Sequence, residues 1–511
     1  LNKAQDFDEE LIGLLLENSD LKEKFFVNVK DTLCFKQNLF NKFLEQKNYL
    51  NDSYTQYKNK VGLTIESKYL KQRNEVALVW PFKDCILEVG QSHEEHNREE
   101  IFFNEVLAQD EITQLLEPKV FTNAKYIDKN GEKPTERFNR DTEINKKRGL
   151  PADTITDNLI IKGNNLLAMH SIKEDFVGKV KLIYIDPPYN TGNDGFNYND
   201  SFSESTWLTF MQNRLNIAKS LLAKNGCLFI SIDDRQFAEL KLVCDSIFGK
   251  DNFIADIIWN STKSVTNTAL ISISHTHTLA FCRNKDYYVR NRTEFRLQDD
   301  GKGFSNPDND PRGPWKADPF QVGGWRPNQQ YEIINPNTGE VYKPSEGCSW
   351  KNDHDNFKKL IADNRIVFGV TGESGPQRKR FLSEAKDRGK VTKTIWTDLD
   401  TTTNGTQHLK KIFGKSVFPN PKPEGFIHRI IDLCTNESDI VLDYHIGSGT
   451  TAATAHKMNR QYIGIEQMDY IEDTTVERLK KVIEGEKGGI SKAVDWKGGG
   501  SFVYLELKKN N

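Results

Sequence analysis

The sequence lacks the features that mark several classes of protein. Its seven cysteines include no C-x-x-C pair, and their odd number argues against a disulfide framework or a zinc knuckle. No apolar run reaches the roughly 18 residues that a membrane helix needs, and no signal-peptide pattern opens the chain. A net charge of −3 gives no global attraction to nucleic acid, so any such contact must come from local basic clusters. We therefore expect a cytoplasmic protein with no membrane contact.

The sequence does have enough apolar material for several packed cores. Of its 511 residues, 37% are hydrophobic and 28% charged, which is typical of a globular enzyme with two or three domains. Helical spacing of apolar residues between 8 and 50 predicts amphipathic helices in an N-terminal accessory region, 1–125. Two short strands, at 76–80 and 85–89, and a helix at 99–116 are expected within it.

A rhythm of alternating strands and helices follows a polar linker at residues 126–153. The buried apolar runs Leu182–Ile185 and Cys227–Ile232, with a helical pattern between them, predict an α/β fold with a parallel sheet. The runs Ile254–Trp259 and Thr278–Cys282 suit far strands of the same sheet. The predicted divisions after the linker are a first half of the α/β domain (154–259), a loop-rich insertion (260–413), a second half (414–485) and a C-terminal extension (486–511).

A tetrad, Asp186-Pro187-Pro188-Tyr189, directly follows the first buried run. It therefore lies at the carboxyl end of a parallel strand, where open α/β sheets bind ligands. The two prolines make a rigid elbow that holds a carboxylate and an aromatic ring. Such a site suits a flat base: Asp186 accepts a hydrogen of an exocyclic amine, the carbonyl of Pro187 accepts the second, and Tyr189 stacks on the flipped base.

A glycine-containing loop follows a second apolar strand at Ile440–Leu442 and opens a helix. Its glycines permit close approach of a nucleotide-like cofactor, and Glu466, at the end of the next strand, is placed to bind ribose hydroxyls. Because the tetrad is expected in the same sheet, S-adenosylmethionine is the predicted cofactor. The residues assigned to the cofactor in this loop are Asp443, Gly447, Ser448, Gly449 and Thr450.

The sequence resembles the β-class amino-methyltransferases, and most closely the modification subunits of type III restriction-modification systems. Five stretches carry the resemblance: Lys162–Leu167, Asp186–Gly192 with the following Phe196–Asp200, Trp207–Leu208, Phe418–Pro423 and Asp443–Glu466. The order also agrees, since the catalytic loop precedes a target-recognition insertion and the cofactor loop follows it. The chain departs from the family pattern at Tyr444, His445 and Ile446, where relatives often have Phe and Ala.

The resemblance implies a Rossmann-like S-adenosylmethionine-dependent fold with permuted motif order and N6 of adenine in double-stranded DNA as the methylated position. It further implies Phe418 and Lys422 as cofactor contacts, a homodimer, and an ATP-dependent restriction (Res) subunit as partner. Two alternatives stay open at this point. One is methylation of N4 of cytosine, which uses the same amine chemistry, and the other is an orphan or regulatory DNA-binding protein without a restriction partner.

A basic stripe inside the insertion is the candidate for contacts with DNA phosphates. Arg378, Lys379 and Arg380 begin it, and Trp315, Trp325 and Trp396 lie nearby in the sequence. A run of this kind also occurs as a solvated face without a ligand.

Several short motifs do not support a further site. The sequence Gly414-Lys415-Ser416 lacks the leading glycine of a phosphate loop, and Glu117-Pro118-Lys119 lacks the partner of a nuclease motif. His93–His96 lacks zincin spacing, and His275 and His277 are expected to be structural, so no metal site is predicted.

Overall fold

The computed structural model describes residues 9–17, 19–29, 32–37, 40, 64–65, 68–69, 116–191, 204–369 and 371–508. The chain forms two compact units. The first, here called the sheet unit, comprises Leu1–Arg283, Ile395–Ile427 and Glu437–Asn511. The second, the insert unit, comprises Asn284–Thr394 and His428–Asn436.

The first half of the chain contains the N-terminal elements and most of the main sheet. The N-terminal elements are α1 (Glu9–Glu17), α2 (Ser19–Phe25), β1 (Phe26–Val29), β2 (Thr32–Phe35), β3 (Thr64–Ile65) and β4 (Lys68–Tyr69). Next come β5 (Phe121–Asp128), β6 (Gly131–Pro134), α3 (Thr142–Lys147), β7 (Leu159–Lys162), α4 (Asn165–Ser171), α5 (Lys173–Phe176), β8 (Val180–Ile185), α6 (Glu204–Leu221), β9 (Leu222–Ile232), α7 (Phe237–Phe248), β10 (Phe253–Trp259) and β11 (Thr276–Cys282).

The second half of the chain continues with the elements of the insert unit. They are α8 (Lys285–Arg290), β12 (Trp315–Pro319), β13 (Gln321–Gly323), β14 (Ile333–Ile334), β15 (Val341–Tyr342), β16 (Cys348–Trp350), α9 (His354–Ala362), β17 (Ile366–Val367), β18 (Gln377–Phe381) and α10 (Leu382–Arg388). The last elements are β19 (Ile395–Trp396), α11 (Thr402–Phe413), α12 (Glu424–Cys434), β20 (Ile440–Asp443), α13 (Thr450–Lys457), β21 (Gln461–Glu466), a π-helix (Ile471–Val476), α14 (Glu477–Ile483) and β22 (Ser501–Leu507).

One 11-stranded sheet organises the sheet unit, in the order β19-β10-β11-β9-β8-β20-β21-β7-β22-β5-β6. Its central strands from β9 to β22 pair in parallel, and β11 and β5 pair antiparallel at the two flanks. Every residue of β8, β20 and β21 is buried, as expected for parallel strands that are covered on both faces. The predicted α/β fold is confirmed.

The site lies at the point in the sheet where the strand order reverses. Strand β20 enters the sheet between β8 and β21, although β8 precedes it by more than 250 residues of sequence. The carboxyl ends of these three neighbouring strands therefore lie side by side, and ligands of open α/β sheets bind at such a switch point.

Two predicted boundaries of the sheet unit are wrong. Residues 126–153, expected as a linker, contain part of a β-hairpin (β5 and β6) at the edge of the main sheet and the short helix α3. Residues 486–511, expected as an extension, supply β22, which lies inside the sheet between β7 and β5. The first segment was misread because β5 and β6 carry mixed, partly exposed residues; β6 is exposed throughout. The second contains the buried run Phe502–Leu505, whose place inside the sheet depends on pairing with distant residues of β5 and β7.

The insert unit is shorter than the predicted insertion of 260–413. Strand β11 pairs with β9 and β10, and β19 pairs with β10, so both belong to the main sheet. The insert unit has its own antiparallel sheet, β12-β18-β17, and two strand pairs. Its apolar core consists of Phe320, Ile333, Trp350, Phe357, Ile366 and Phe368.

The N-terminal region contains helices α1 and α2, as predicted, and then the hairpin of β1 and β2 where helical spacing had been expected. Phe26-Val27 and Leu33-Cys34-Phe35 are residue types that favour strands, which explains this difference. The strands expected at 76–80 and 85–89, the residues of the 99–116 helix before Leu116, and His93–His96 lie outside the described residues. None of the described helices is long and apolar enough to cross a membrane.

Candidate active site

A cleft of about 180 Å³ opens at the carboxyl ends of β8, β20 and β21. Four stretches of chain line it: the tetrad after β8, the segment before α12, the loop after β20 and the end of β21. The lining residues with chemical or shape-defining roles include Asp186, Pro187, Tyr189, Phe418, Lys422, Asp443, Gly447, Glu466 and Tyr470.

The carboxylate of Asp186 is held by two partners in this cleft. The Tyr189 hydroxyl donates to Asp186 Oδ1 at 2.7 Å, and the Lys422 ammonium forms an ion pair with Asp186 Oδ2. Lys422 Nζ also donates to the Tyr189 hydroxyl at 3.1 Å. Since the Asp186 side chain is 28% exposed and that of Lys422 only 11%, the pair lies at the cleft wall with the carboxylate accessible from the open side.

The two carbonyls of the proline elbow differ in their hydrogen bonding: that of Pro188 accepts a hydrogen bond, and that of Pro187 has no donor among the described residues. The indole Nε1 of Trp207, fully buried in α6, donates to the Pro188 carbonyl at 2.8 Å and fixes the elbow against the core. Among the described residues, none donates to the carbonyl of Pro187, which lines the cleft beside Asp186. A buried carbonyl without a partner is a ready acceptor for a ligand N–H.

The loop between β20 and α13 is built to approach a ligand closely. Gly447 and Gly449 have φ angles of 51° and 76°, the left-handed region that favours glycine. A Cβ on Gly447 would lie 3.1 Å from the Phe418 ring, and one on Gly449 would lie 2.9 Å from Thr475. The Gly447 amide donates to Glu466 Oε2 at 3.2 Å, which ties the loop to the end of β21.

Phe418 and Tyr470 form an aromatic pair on another side of the cleft. Their ring centroids are 5.2 Å apart with an interplanar angle of 77°. Because Phe418 also lies beside Gly447, the pair and the loop backbone together offer an apolar slot next to the Glu466 carboxylate. This combination suits an adenosine, with an apolar place for the base and an acceptor for the ribose hydroxyls.

Three carboxylates line the cleft, and their charges act on one another. Burial, together with the charges of Asp186 and Glu466, raises the pKa of Asp443 to about 7, against hydrogen bonds from Thr451 and His445. Burial likewise raises the pKa of Glu466. A cation in the cleft relieves this repulsion, and the cleft therefore favours a positively charged ligand.

Comparison with known proteins identifies the family. Residues 180–477 match the family model of DNA methylases, and residues 8–63 match that of the type III restriction/modification enzyme methylation subunit. The HindVI Mod subunit of a type III restriction-modification enzyme from Haemophilus influenzae is 38% identical over 638 residues, which cover 100% of this chain and 82% of that protein. The chain belongs to the Mod subunits of type III restriction-modification enzymes. The Mod chain is accordingly a DNA methyltransferase with S-adenosylmethionine as methyl donor, and N6 of adenine is the target that fits this family.

More distant matches agree with this assignment. The StyLTI Mod subunit of Salmonella typhimurium is 31% identical over 65% of this chain and 54% of its own length. The EcoP15I Mod subunit of Escherichia coli is 29% identical over 60% of this chain and 57% of its own length. Among solved structures, a DNA modification methylase of Thermus thermophilus aligns at 15% identity with a TM-score of 0.33, covering 69% of this chain and 100% of that one. The assignment depends on the sequence matches alone.

Most of the residues predicted for the site lie together, but Lys422 contacts the predicted catalytic aspartate. Asp186, Pro187, Pro188 and Tyr189 share the cleft with Phe418, Asp443, Gly447, Ser448, Thr450 and Glu466. Lys422, predicted among the cofactor contacts, instead directs its ammonium at Asp186, while its backbone carbonyl accepts from Thr450 Oγ1 at 3.1 Å. Gly449 supports the loop from behind, against Thr475.

The predicted DNA-binding triplet is divided between two faces of β18. Lys379 is fully buried, where it pairs with Asp308 and, at 3.0 Å, with Asp310. It cannot contact a phosphate, so this part of the prediction is wrong; alternate residues of a strand face opposite sides. Arg378 and Arg380 lie on the other face and are half-buried. Trp396, placed in the insertion from the sequence, belongs to β19 of the main sheet and is buried.

Sequence reasoning missed a buried network behind the cofactor loop. Arg214 in α6 donates to Asn165 Oδ1 at 2.6 Å, and Asn165 Nδ2 donates to the Tyr444 carbonyl at 2.9 Å. Burial, with the nearby charge of Arg214, holds the pKa of His445 well below its usual value, so the ring is neutral. An arginine within the apolar face of a predicted helix was the available signal, because such a residue is buried only when it is paired.

A second network anchors the same loop through Arg478 of α14 and Glu424 of α12. Arg478 donates to Thr450 Oγ1 at 2.8 Å and to the Ser448 carbonyl at 3.2 Å, and it pairs with Glu424 at 3.1 Å. Although burial raises it, the charges of Arg478 and Lys457 hold the pKa of Glu424 below its usual value. The loop geometry is therefore maintained by charges that do not touch the cleft.

Proposed function

We propose that Asp186 and the Pro187 carbonyl activate the N6 amine of an adenine that has been flipped out of double-stranded DNA. The observation that carries the proposal is their placement: a rigid elbow holds one carboxylate and one unengaged carbonyl in the cleft that also contains Gly447 and Glu466. The amine has two hydrogens, and the elbow supplies an acceptor for each.

The chemistry requires these acceptors because the N6 lone pair is delocalised into the adenine ring. Hydrogen bonds from both N6 hydrogens let the nitrogen pyramidalise, so that its lone pair attacks the methyl carbon. The bond from methyl carbon to sulfur breaks as the bond to nitrogen forms, and the methylated amine then loses one proton. Asp186, which accepts one of those hydrogens, is the first acceptor on its path.

Entry of the base rearranges the present contacts of Asp186. Its two oxygens are held by Tyr189 and Lys422, and the adenine amine takes the place of one of them. Tyr189, released from Asp186, offers its ring as a stacking surface for the base, the role predicted for it. Lys422 holds the carboxylate in its orientation until the amine arrives.

S-adenosylmethionine fits the remaining part of the cleft by charge and shape. Its sulfonium and ammonium groups are cations, and Asp443, Glu466 and Asp186 supply the negative charge that they require. In this arrangement Glu466 binds the ribose hydroxyls, Phe418 packs on the adenosine, and Gly447, Ser448, Gly449 and Thr450 form the backbone of the binding loop.

Replacing Asp186 tests the proposal. Asp186→Ala should lower the rate of methyl transfer by at least about 100-fold, because one acceptor of the amine is lost. Affinity for S-adenosylmethionine, measured by calorimetry, should remain measurable, since the loop after β20 is intact. Asp245→Ala, at a helix position of the sheet unit outside the cleft, is the matched control and should retain normal turnover. Turnover of Asp186→Ala within tenfold of wild type would exclude the assignment.

The assembly of the Mod chain forms the second part of the proposal. We place it in the cytoplasm as a homodimer on double-stranded DNA, joined by an ATP-dependent Res subunit, as its membership of the family supports. The insert unit is the proposed reader of the target sequence, with Arg378 and Arg380 on its phosphate-facing side. Light scattering of the purified chain, alone and with a Res subunit, measures both associations; a monomer at micromolar concentration would contradict the dimer.

A further inference from the structure

A cluster of two histidines and an aspartate lies at the carboxyl edge of the main sheet, outside the cleft. Asp234 follows β9, and His275 and His277 lie at the start of β11, the strand next to β9. Asp234 Oδ1 is 3.0 Å from His277 Nε2 and 3.4 Å from His275 Nε2, and the two Nε2 atoms are 3.3 Å apart. We propose that these three side chains bind one divalent transition-metal ion, of which Zn²⁺ suits the ligand set best.

The spacing of the three atoms is that of the corners of a metal tetrahedron. Zinc binds histidine nitrogen and carboxylate oxygen at roughly 2.0 to 2.2 Å, which puts neighbouring ligand atoms about 3.4 Å apart. Three protein ligands leave the fourth position for water, as in other open zinc sites. Side-chain exposures of 45% for Asp234, 32% for His275 and 12% for His277 leave the cluster accessible to an ion from solvent.

The orientation of His277 is fixed in the way that metal-binding histidines require. Its Nδ1 lies 2.9 Å from Asp256 Oδ2, and this carboxylate holds the ring with Nε2 directed at Asp234 and His275. Its ring stacks on Phe237, with centroids 4.2 Å apart. A carboxylate behind the ligand and a fixed ring plane are the supporting contacts of a metal site.

Electrostatics also calls for a cation at this point. Two carboxylates, those of Asp234 and Asp256, lie 3.0 and 2.9 Å from the two ring nitrogens of His277. Within the part of the chain that the structure describes, neither Asp234 nor Asp256 pairs with a lysine or arginine. The cluster therefore lacks a protein cation of its own.

A second group of potential metal ligands differs from the Asp234 cluster because it already contains a lysine. His408, Glu424 and Glu486 also bring three ligand atoms together, but Lys457 Nζ lies 2.9 Å from Glu424 and pairs with Glu486. That lysine, fully buried, occupies the place of a cation. The Asp234 cluster, whose histidines the sequence predicted to be structural, is the one that needs an ion.

Bound metal would join the loop after β9 to the start of β11. Arg235, next to Asp234, donates to the carbonyl of Thr191 at 2.8 Å, so the same loop contacts the chain just beyond the catalytic elbow. We assign the ion a positioning role at this edge of the sheet, and the proposal does not depend on the assignment of Asp186.

Zinc titration of the purified full chain, after treatment with a chelator, tests the proposal by calorimetry. Wild type should bind one Zn²⁺ per chain, and Co²⁺ in its place should give the visible absorption of a site with nitrogen and oxygen ligands. His277→Ala should weaken binding at least about tenfold, and Asp256→Asn by about 10- to 100-fold, because it loses the carboxylate behind the ligand. His354→Ala, an exposed histidine of the insert unit, should leave the affinity unchanged.

Two results would overturn the site. One is zinc binding of unchanged affinity in both His277→Ala and Asp256→Asn, with folding verified by circular dichroism. The other is a folded wild-type chain that, after treatment with a chelator, binds no zinc at micromolar concentration.

Discussion

At the scale of single residues, the active site is a set of charges held at fixed positions before any ligand arrives. Asp186 is oriented by Tyr189 and Lys422, and burial, together with the neighbouring carboxylates, raises the pKa of Asp443 to about 7. The two halves of the cleft therefore suit different ligand groups. The half with Asp186 suits an amine, and the half with Asp443 suits a cation.

Affinity for S-adenosylmethionine should depend on pH through Asp443. Its pKa is raised to about 7 in the free protein, and a bound cation lowers it, so binding below pH 7 must release a proton. Affinity is therefore full above pH 7 and falls as the pH drops through 7, to about tenfold weaker at pH 6 than at pH 8. Calorimetry in buffers of different ionisation enthalpy measures both the affinity and the proton. Asp443→Asn should lose most of the pH dependence, and a wild-type affinity that is flat between pH 6 and 8 would refute the role of Asp443.

Replacing Tyr189 separates its ring from its hydroxyl. Tyr189→Ala removes the surface on which the flipped base stacks, a loss of roughly 1 to 3 kcal/mol in transition-state stabilisation. Tyr189→Phe should retain much of the activity, because the hydroxyl bond to Asp186 is one that the adenine amine replaces. Steady-state kinetics on a methylatable duplex compares the two variants. If Phe is as damaging as Ala, stacking is not the main contribution.

At the scale of elements, strand β18 shows why basic residues at adjacent positions differ in burial and in their partners. Lys379 faces the interior over Trp315, whose ring centroid is 5.0 Å from its Nζ, whereas Arg378 and Arg380 face the other way. In the sequence, the three basic residues 378–380 form one continuous run. Had the run been assigned to a strand, its alternate residues would have been placed on opposite faces.

Paired variants of β18 should therefore separate stability from DNA binding. Lys379→Met leaves Arg312 as the one charged partner of the buried Asp310 among the described residues, and unfolding in urea should show a loss of roughly 3 kcal/mol. Arg378→Gln together with Arg380→Gln should cost less than about 1 kcal/mol, since the Arg380–Asp318 pair is one-third exposed. The arginine variants should instead reduce the salt slope of DNA binding by about one for each phosphate interaction that is removed. An unchanged slope would mean that this face does not meet DNA.

The parallel strands were predictable because burial on both faces requires a continuous apolar run, as in Leu182–Ile185 and Cys227–Ile232. The functional residues at their ends followed from those runs, so Asp186, Asp443 and Glu466 could be assigned to one edge. The edge hairpin escaped notice because its residues alternate weakly, and the place of β22 inside the sheet depends on pairing with distant residues of β5 and β7. Lys422 meets Asp186 across 236 residues of sequence, and no local pattern reports a contact of that range.

At the scale of the whole molecule, the chain is a methyltransferase sheet interrupted by an insert unit with a separate core. The sheet supplies the chemistry at the point where strand order reverses, and the insert unit is the proposed reader of sequence. Under this proposal, recognition and catalysis belong to different units of the chain.

Long-read sequencing of native DNA, from cells that carry this gene and from cells that lack it, tests the account most directly, because it reports the modified base and its sequence context together. Cells with the gene should carry N6-methyladenine at a single sequence motif, and cells with the Asp186→Ala allele should carry none at that motif. Methylation of cytosine N4 at the motif, or adenine methylation that persists with Asp186→Ala, would contradict the account.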